Sequence, residues 1–430
     1  MKSKSDFARE GDDVTSESER GAAGGIFYGW VVVGVGIVVS CIGVGAMLSL
    51  SVFLQPISEA MGWSRTGVST AALINWLGMG VGSLMWGALS DRFGTRAVVL
   101  AGGALLGVGL VTASQASTLG QFQILFGAIV GLAAGSFYTP LTATTTRWFT
   151  RNRSLAVALV SAGVGLGSTT VAPLARWIIT NYDWRVAMFV IGDIAWLVII
   201  PLAFLVREPS APAIAVASTA TTGADGPEMT VSQALRTPQF AALALTYFAC
   251  CATHSGPIFH MVTYAIDHGV TAMAAATVLS VAGLASLGGK IVCGLIADRV
   301  GAKRTLVVGL AVQAVAASLY VFTRDLPSFY ALALLFGFAY GGVMPLYAIL
   351  VREYFGARIM GTTFGAVAFV STLGMSLGPW AGGWLYDTFG SYVWLYLGSF
   401  GVGVGAVAIA LTFRPPRPVP AGVPSPSTAG

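Results

Sequence analysis

Gly87-Ala-Leu-Ser-Asp91-Arg92-Phe-Gly94-Thr-Arg96 recurs 207 residues later as Gly294-Leu-Ile-Ala-Asp298-Arg299-Val-Gly301-Ala-Lys303. Each copy is a short charged turn that ends one long apolar run and opens another, so the chain reads as two matched halves in tandem. Pro173 and Pro379 repeat at an offset of 206, which carries the correspondence well beyond one turn.

The runs around these turns have the length a bilayer demands, about 20 apolar residues per helical crossing. Twelve runs meet that demand, predicted as helices α1 to α12 near 28–54, 66–88, 97–116, 120–143, 154–175, 186–206, 239–265, 271–296, 305–323, 328–351, 359–384 and 391–413. The predicted fold class is an all-α membrane protein with 12 transmembrane helices in two six-helix halves. Only Asp193 in α6 and Lys290 in α8 place a formal charge inside these runs. The composition agrees: 55% hydrophobic against 10% charged residues, with a mean hydropathy of +0.78, cannot clothe a water-soluble body of 430 residues.

Expected boundaries are a disordered tail over 1–24, a first half over 25–206, a Pro/Ala/Thr/Ser-rich linker over 207–238, a second half over 239–413 and a Pro-rich tail over 414–430. Tails, linker and the turns on their side carry 18 Lys/Arg; the opposite loops hold Arg65, Arg176, Arg185 and Arg324. That asymmetry predicts a cell-membrane protein with both termini cytoplasmic. Its +5 charge is scattered, with no basic stripe interleaved with aromatics, which argues against nucleic acid. Cys41, Cys250, Cys251 and Cys293 all sit in apolar runs as small hydrophobes. No metal spacing, phosphate loop or nucleophile–base set stands out, so no catalytic residue, metal or cofactor is expected and an enzyme is disfavoured.

The duplicated loop resembles that of the major facilitator superfamily, over essentially the whole chain. Tyr28-Gly-Trp-Val-Val, Arg147-Trp-Phe with Arg153-Ser-Leu-Ala, Gly163-Val-Gly-Leu-Gly167, Asp183-Trp-Arg185 and Leu235-Arg-Thr-Pro-Gln-Phe240 narrow the resemblance to the monocarboxylate transporter and oxalate:formate antiporter group. The resemblance implies the major facilitator fold, with α1, α4, α7 and α10 lining a cavity, α2, α5, α8 and α11 flanking it and the rest outside. It also implies a carboxylate-binding role for Lys290, because the family holds an arginine there, eight residues before the loop aspartate. Three departures limit the transfer: Ser286 stands where animal carriers have an acid, Leu48 where they have a lysine, and Val367 where the oxalate antiporter has a second cation. The arginine that proton-coupled drug exporters carry early in α4 is absent from Gln121-Phe-Gln123-Ile-Leu-Phe-Gly127.

Lys290 is the pivotal candidate on its own chemistry. A cation in a spanning helix costs about 2.5–3.5 kcal/mol on insertion scales and needs a partner, here an anionic substrate. The alternative is an ammonium stretched to the headgroups, but side chains lean toward a helix's N-terminus, which directs Lys290 toward the midplane. Unlike a guanidinium, an ammonium is a point charge able to release its proton. Other candidate substrate contacts are Tyr138, Tyr340, His260, Tyr264 and Asn75, each weighed against interfacial belting or helix packing. His254, His260 and Asp193 are proton-coupling candidates. For Asp193 on peripheral α6, burial as the neutral acid or a packing hydrogen bond is favoured over a relay. Asp91, Arg92, Asp298 and Arg299 are gating candidates, since a carboxylate at such a turn can bond a neighbouring helix's amides in one conformation and release them in another.

The expected function is a monomeric secondary transporter moving a small organic monocarboxylate across the bilayer by alternating access, with a proton. The open alternatives are an exporter of apolar or cationic compounds, an organic-anion exchanger, and a membrane sensor that only binds its ligand.

Overall fold

The computed structural model describes residues 27–149, 153–209, 230–356 and 359–414. The expected tail 1–24, most of the linker and 415–430 lie outside the described residues. In chain order the long helices are α1 (Tyr28–Met61, interrupted at Ser49), α2 (Arg65–Phe93), α3 (Thr95–Ser114), α4 (Leu119–Trp148), α5 (Arg153–Asn181) and α6 (Trp184–Ala203). A one-turn helix, Val231–Leu235, precedes α7 (Pro238–Asp267), α8 (Ala272–Val300), α9 (Ala302–Leu319), α10 (Leu326–Phe355), α11 (Met360–Phe389) and α12 (Val393–Leu411). Eleven of these are long and apolar enough to cross a membrane. The other, α7, has the length, but Thr246, Thr253, His254, Ser255, Gly256 and His260 dilute its apolar character, and all six are buried by neighbouring helices.

Helix boundaries follow from side chains at the ends of the apolar runs. Ser64 accepts a hydrogen bond from Gly67 N, Asp183 from Val186 N, Thr237 from Phe240 N and Asp325 from Ser328 N, each satisfying an amide that its helix leaves unpaired. Gly94 (φ 85°) and Gly301 (φ 93°), the equivalent glycines of the duplicated turn, sit in a backbone region where a Cβ is costly, and each starts the next helix.

Within the first half α1 packs on α5, α2 on α4 and α3 on α6; within the second, α7 packs on α11, α8 on α10 and α9 on α12. Small residues make the closest approaches. A Cβ on Gly131 or Gly135 of α4 would strike the backbone of α2 at Asn75 or at Gly82–Ser83, as the small-residue spacing of Gly127, Gly131 and Gly135 predicts. Gly337 and Gly341 of α10, at the repeat offset of 206, meet the α8 backbone at Ala282 and Ser286 in the same way.

The halves touch through α2–α11, α5–α8 and the later part of α1 (Leu50–Met61) against α7, whereas the earlier part, Tyr28–Leu48, packs on α5 instead. These contacts concentrate toward the face opposite the chain ends, termed distal here; the face carrying Tyr28 and Arg414 is the terminal face. Along α2–α11, Arg65 and Ser69 meet Gly383, and Gly80 meets Thr372. Two turns further, Gly87 and Gly365 would oppose each other, yet nothing lies within 4 Å of a Cβ placed on either. On α5–α8 the pairs Thr169–Ser280 and Gly165–Leu287 meet in the same distal and central part. The seam is therefore closed distally and parted toward the terminal face.

Candidate functional site

Lys290 lies about 27 Å of helix rise from the distal start of α8. Leu284, Gly288, Ile291 and Leu295 form the exposed stripe of that helix, and Lys290 lies on the other side, one turn beyond buried Ser286 and two beyond buried Gly283. Among the described residues its ammonium has no hydrogen-bond or ion-pair partner. This is a half-buried cation on the inner side of α8 with no partner among the described residues.

A polar path leads inward from it. Ser286 lies beside the Tyr340 hydroxyl, and the Tyr340 ring stacks on His254 at 5.1 Å between centroids. His254 Nδ1 is 2.8 Å from Cys250 O, so this nitrogen carries the proton and donates to the carbonyl. That leaves Nε2 as the ring's open acceptor, with no partner among the described residues. Gln313 Nε2 donates to the same carbonyl at 2.9 Å.

From the first half, Tyr138 approaches the same depth. Helix α4 passes through a π-helical stretch, Gln123–Val130, and breaks over Gly135–Phe137 before restarting at Tyr138. Its hydroxyl is 2.8 Å from Ser161 Oγ on α5 and within electrostatic reach of Tyr247 on α7. Tyr247 stacks on Tyr347 at 4.0 Å and 11°. The structure thus links Tyr340 and His254 to Ser286, one turn from Lys290, and brings Tyr138 within reach of Tyr247; Ser286 and Tyr247 are outside the candidates read from the sequence. Ser286 is legible one turn from Lys290; Tyr247 lacks any local signal, being one of many aromatics in apolar runs.

The remaining candidates go elsewhere. Asn75 is buried and donates to Phe126 O at 2.8 Å, locking α2 to α4. Tyr264 donates to Tyr320 O at 3.1 Å inside the distal core of the second half, among Tyr392, Tyr396 and His268. Asp193 shares the outward stripe of Val186, Phe189 and Leu197 on α6 and has no partner among the described residues, which departs from the packing role expected for it. Asp298 and Arg299 are exposed at the terminal face, and Arg92 lies over the Phe93 ring; the Asp91 side chain falls outside what is described.

His260 belongs to a distal cluster that the sequence did not reveal. Arg65, at the start of α2, pairs with Asp267 of α7 through both terminal nitrogens, at 2.8 and 3.1 Å. It also donates to the Tyr392 hydroxyl at 3.0 Å and lies 3.7 Å from the Tyr386 ring centroid. Asp387 of α11 accepts from Arg65 N and Thr66 N at 3.2 and 2.7 Å, so a carboxylate of one half caps a helix of the other. Tyr392 passes its proton toward His260 Nδ1 at 3.1 Å, and Nε2–H donates to Pro379 O at 2.8 Å. Every donor in this chain of bonds is matched, and it crosses between halves; it is a latch. Arg65 lies 202 to 327 residues from its side-chain partners in sequence, and Arg65, Asp267 and Asp387 each look like an ordinary helix-end residue.

A family profile described as Major Facilitator Superfamily matches residues 33–379 and 283–429. Among relatives, the chain is 29% identical over 388 residues to monocarboxylate transporter 13 of Bos taurus, covering 89% of each, and 27% identical over 390 residues to monocarboxylate transporter 11 of Homo sapiens, covering 86% of this chain and 79% of the relative. It is 24% identical over 336 residues to the uncharacterized MFS-type transporter YhjX of Escherichia coli (strain K12), covering 77% and 82%. Among solved structures, a nucleoside transporter NupG mutant matches at a TM-score of 0.73 with 10% identity, covering 90% of this chain and 99% of that one. A bacterial homologue of the human lysosomal transporter Spinster, in an inward-facing and unoccupied conformation, matches at 0.67 with 16% identity, covering 90% and 96%.

Proposed function

The chain belongs to the Major Facilitator Superfamily, on its monocarboxylate-transporter-like side, and from that premise we propose that it moves a small organic monocarboxylate across the cell membrane, its termini cytoplasmic, by alternating access. Membership makes it a multi-pass membrane transporter of small molecules rather than an enzyme.

One observation carries the carboxylate reading: Lys290 is half-buried, lies on the inner side of α8 and lacks a partner among the described residues. A desolvated cation without a counterion is unfavourable, and a substrate carboxylate removes that deficit. Tyr340, Tyr138 and Tyr247 supply hydroxyls and ring faces for the rest of a small acid. One cation, Lys290, at the Tyr340 end of the path favours one carboxylate over two. Asp298, Arg299, Asp91 and Arg92 act as the terminal gate, and the Arg65 latch closes the distal face.

For protons, His254 is the better placed histidine. Its Nε2 is an open acceptor at the level of Tyr340, whereas both nitrogens of His260 are occupied. Imposed pH gradients should accelerate carboxylate uptake by the wild type and lose that effect in His254→Gln; an unchanged gradient response in this variant contradicts the assignment.

The test of the function is counterflow in liposomes with a panel of small monocarboxylates, comparing wild type with Lys290→Gln. Exchange of at least one acid by the wild type, abolished in the variant, is expected. Undiminished exchange, or transport of cations and apolar compounds by both proteins, would favour the exporter reading.

A further inference from the structure

Arg176 is a second unanswered cation in the seam between the halves. The end of the apolar run predicts a loop here, but the residue lies inside α5, on the stripe of Gly165, Ser168, Thr169 and Ala172. At Gly165, Ser168 and Thr169 that stripe meets Gly283, Leu287 and Ser280 of α8, and Ala172 packs in the second half's distal cluster with Val52 and Met261. One turn beyond Ala172, the guanidinium Nε and Nη1 are buried with no hydrogen-bond partner. Gln55 Oε1 and Ser58 Oγ, from the distal part of α1, are likewise buried and unpartnered.

The charged groups around Arg176 do not neutralise it. Glu59 of α1 is within electrostatic range but makes no ion pair among the described residues; it is exposed, and its carboxylate is held by Gln55 Nε2 at 2.7 Å. The facing stretch of α8, Ala272–Leu279, carries no charge, and Asp267 of α7 is engaged by Arg65. The repeat sharpens the contrast. Asp387, the acid that caps α2 in the other seam, corresponds at offset 206 to Asn181, whose amide bonds its own helix at Trp177 O. One seam therefore has a resident carboxylate; the other has an arginine and none.

We infer that Arg176 is a distal docking station for the substrate's carboxylate, assisted by Ser58, roughly 25 Å of helix rise from Lys290 along the same α5–α8 seam. Parting the distal face uncovers it, and an acid arriving from that side is held there before passing to Lys290. The inference rests on the carboxylate reading above. It concerns approach from one face only, which a merely structural arginine would not produce.

The test is transport of the acid identified by counterflow, measured separately from the distal and the terminal face in oriented vesicles. Arg176→Gln should raise KM at least fivefold for distal substrate and leave terminal KM unchanged, with Arg176→Lys restoring most of the loss. Ser58→Ala removes the assisting hydroxyl while leaving the arginine in place, and should give a smaller rise on the distal side only. An unchanged distal KM, or an equal change at both faces, in Arg176→Gln overturns the station while leaving Lys290 intact. A wild type that exchanges no monocarboxylate overturns both.

Discussion

Arg65 shows how much one side chain can govern here. It joins α2 to α7 by a two-pronged ion pair and to α12's leading tyrosine by a hydrogen bond, with Tyr386 against its face. Because the pair is only partly shielded, with side-chain exposures of 14% and 23%, its contribution is about 1–3 kcal/mol rather than that of a fully buried pair. Asp267→Asn should therefore raise the distal-open population roughly 5- to 150-fold. Spin labels at exposed Tyr182 and Phe389, on opposite halves, would report this as a longer distance; an unaltered distribution would mean the ion pair is incidental. The latch was not legible beforehand, since nothing local distinguishes Asp267 or Asp387 from other turn-flanking acids. Lys290 stands out in the sequence because an isolated charge in an apolar run has few physical explanations. Arg176 was missed for a simple reason: the apolar run stops there, and the helix does not.

At the scale of the element, the two halves share a packing device and differ in chemistry. Gly131 and Gly135 answer to Gly337 and Gly341 as points of closest approach. Their polar neighbours do not match, for Lys290 corresponds to Ser83, His254 to Leu48 and Tyr340 to Ala134. The duplicated backbone supplies the frame, and the proposed Lys290, His254 and Tyr340 groups are particular to the second half. Gly131→Ala and Gly341→Ala force a Cβ against backbone and should each cost about 1–3 kcal/mol, read as a lower unfolding temperature in detergent. Gly87→Ala, in the parted part of the seam, should be neutral or gain about 0.5–1 kcal/mol. Equal losses at all three positions would refute the parted seam. The periodicity of small residues made the frame readable from sequence; the outward aspect of Asp193 was not, because spacing alone does not say which stripe of α6 packs.

For the whole molecule, the described state is closed distally by the latch and parted toward the terminal face. Cysteine placed at Gly87 or Gly365 should react with a membrane-impermeant maleimide from the terminal side, whereas cysteine at Gly80, against Thr372, should be shielded. In the proposed alternating access, the Arg65 contacts break as the Asp298 and Asp91 turns engage, with Lys290 presented to each side in turn. On that proposal the same cation recognises substrate from both faces. Its role can be isolated from gating by equilibrium titration of the purified protein with the acid it exchanges, comparing wild type, Lys290→Arg and Lys290→Gln. Arginine should retain affinity within about tenfold and glutamine should lose at least about a hundredfold, the scale of removing one member of a desolvated charge pair. Glutamine binding the acid as tightly as lysine would contradict the account at its centre.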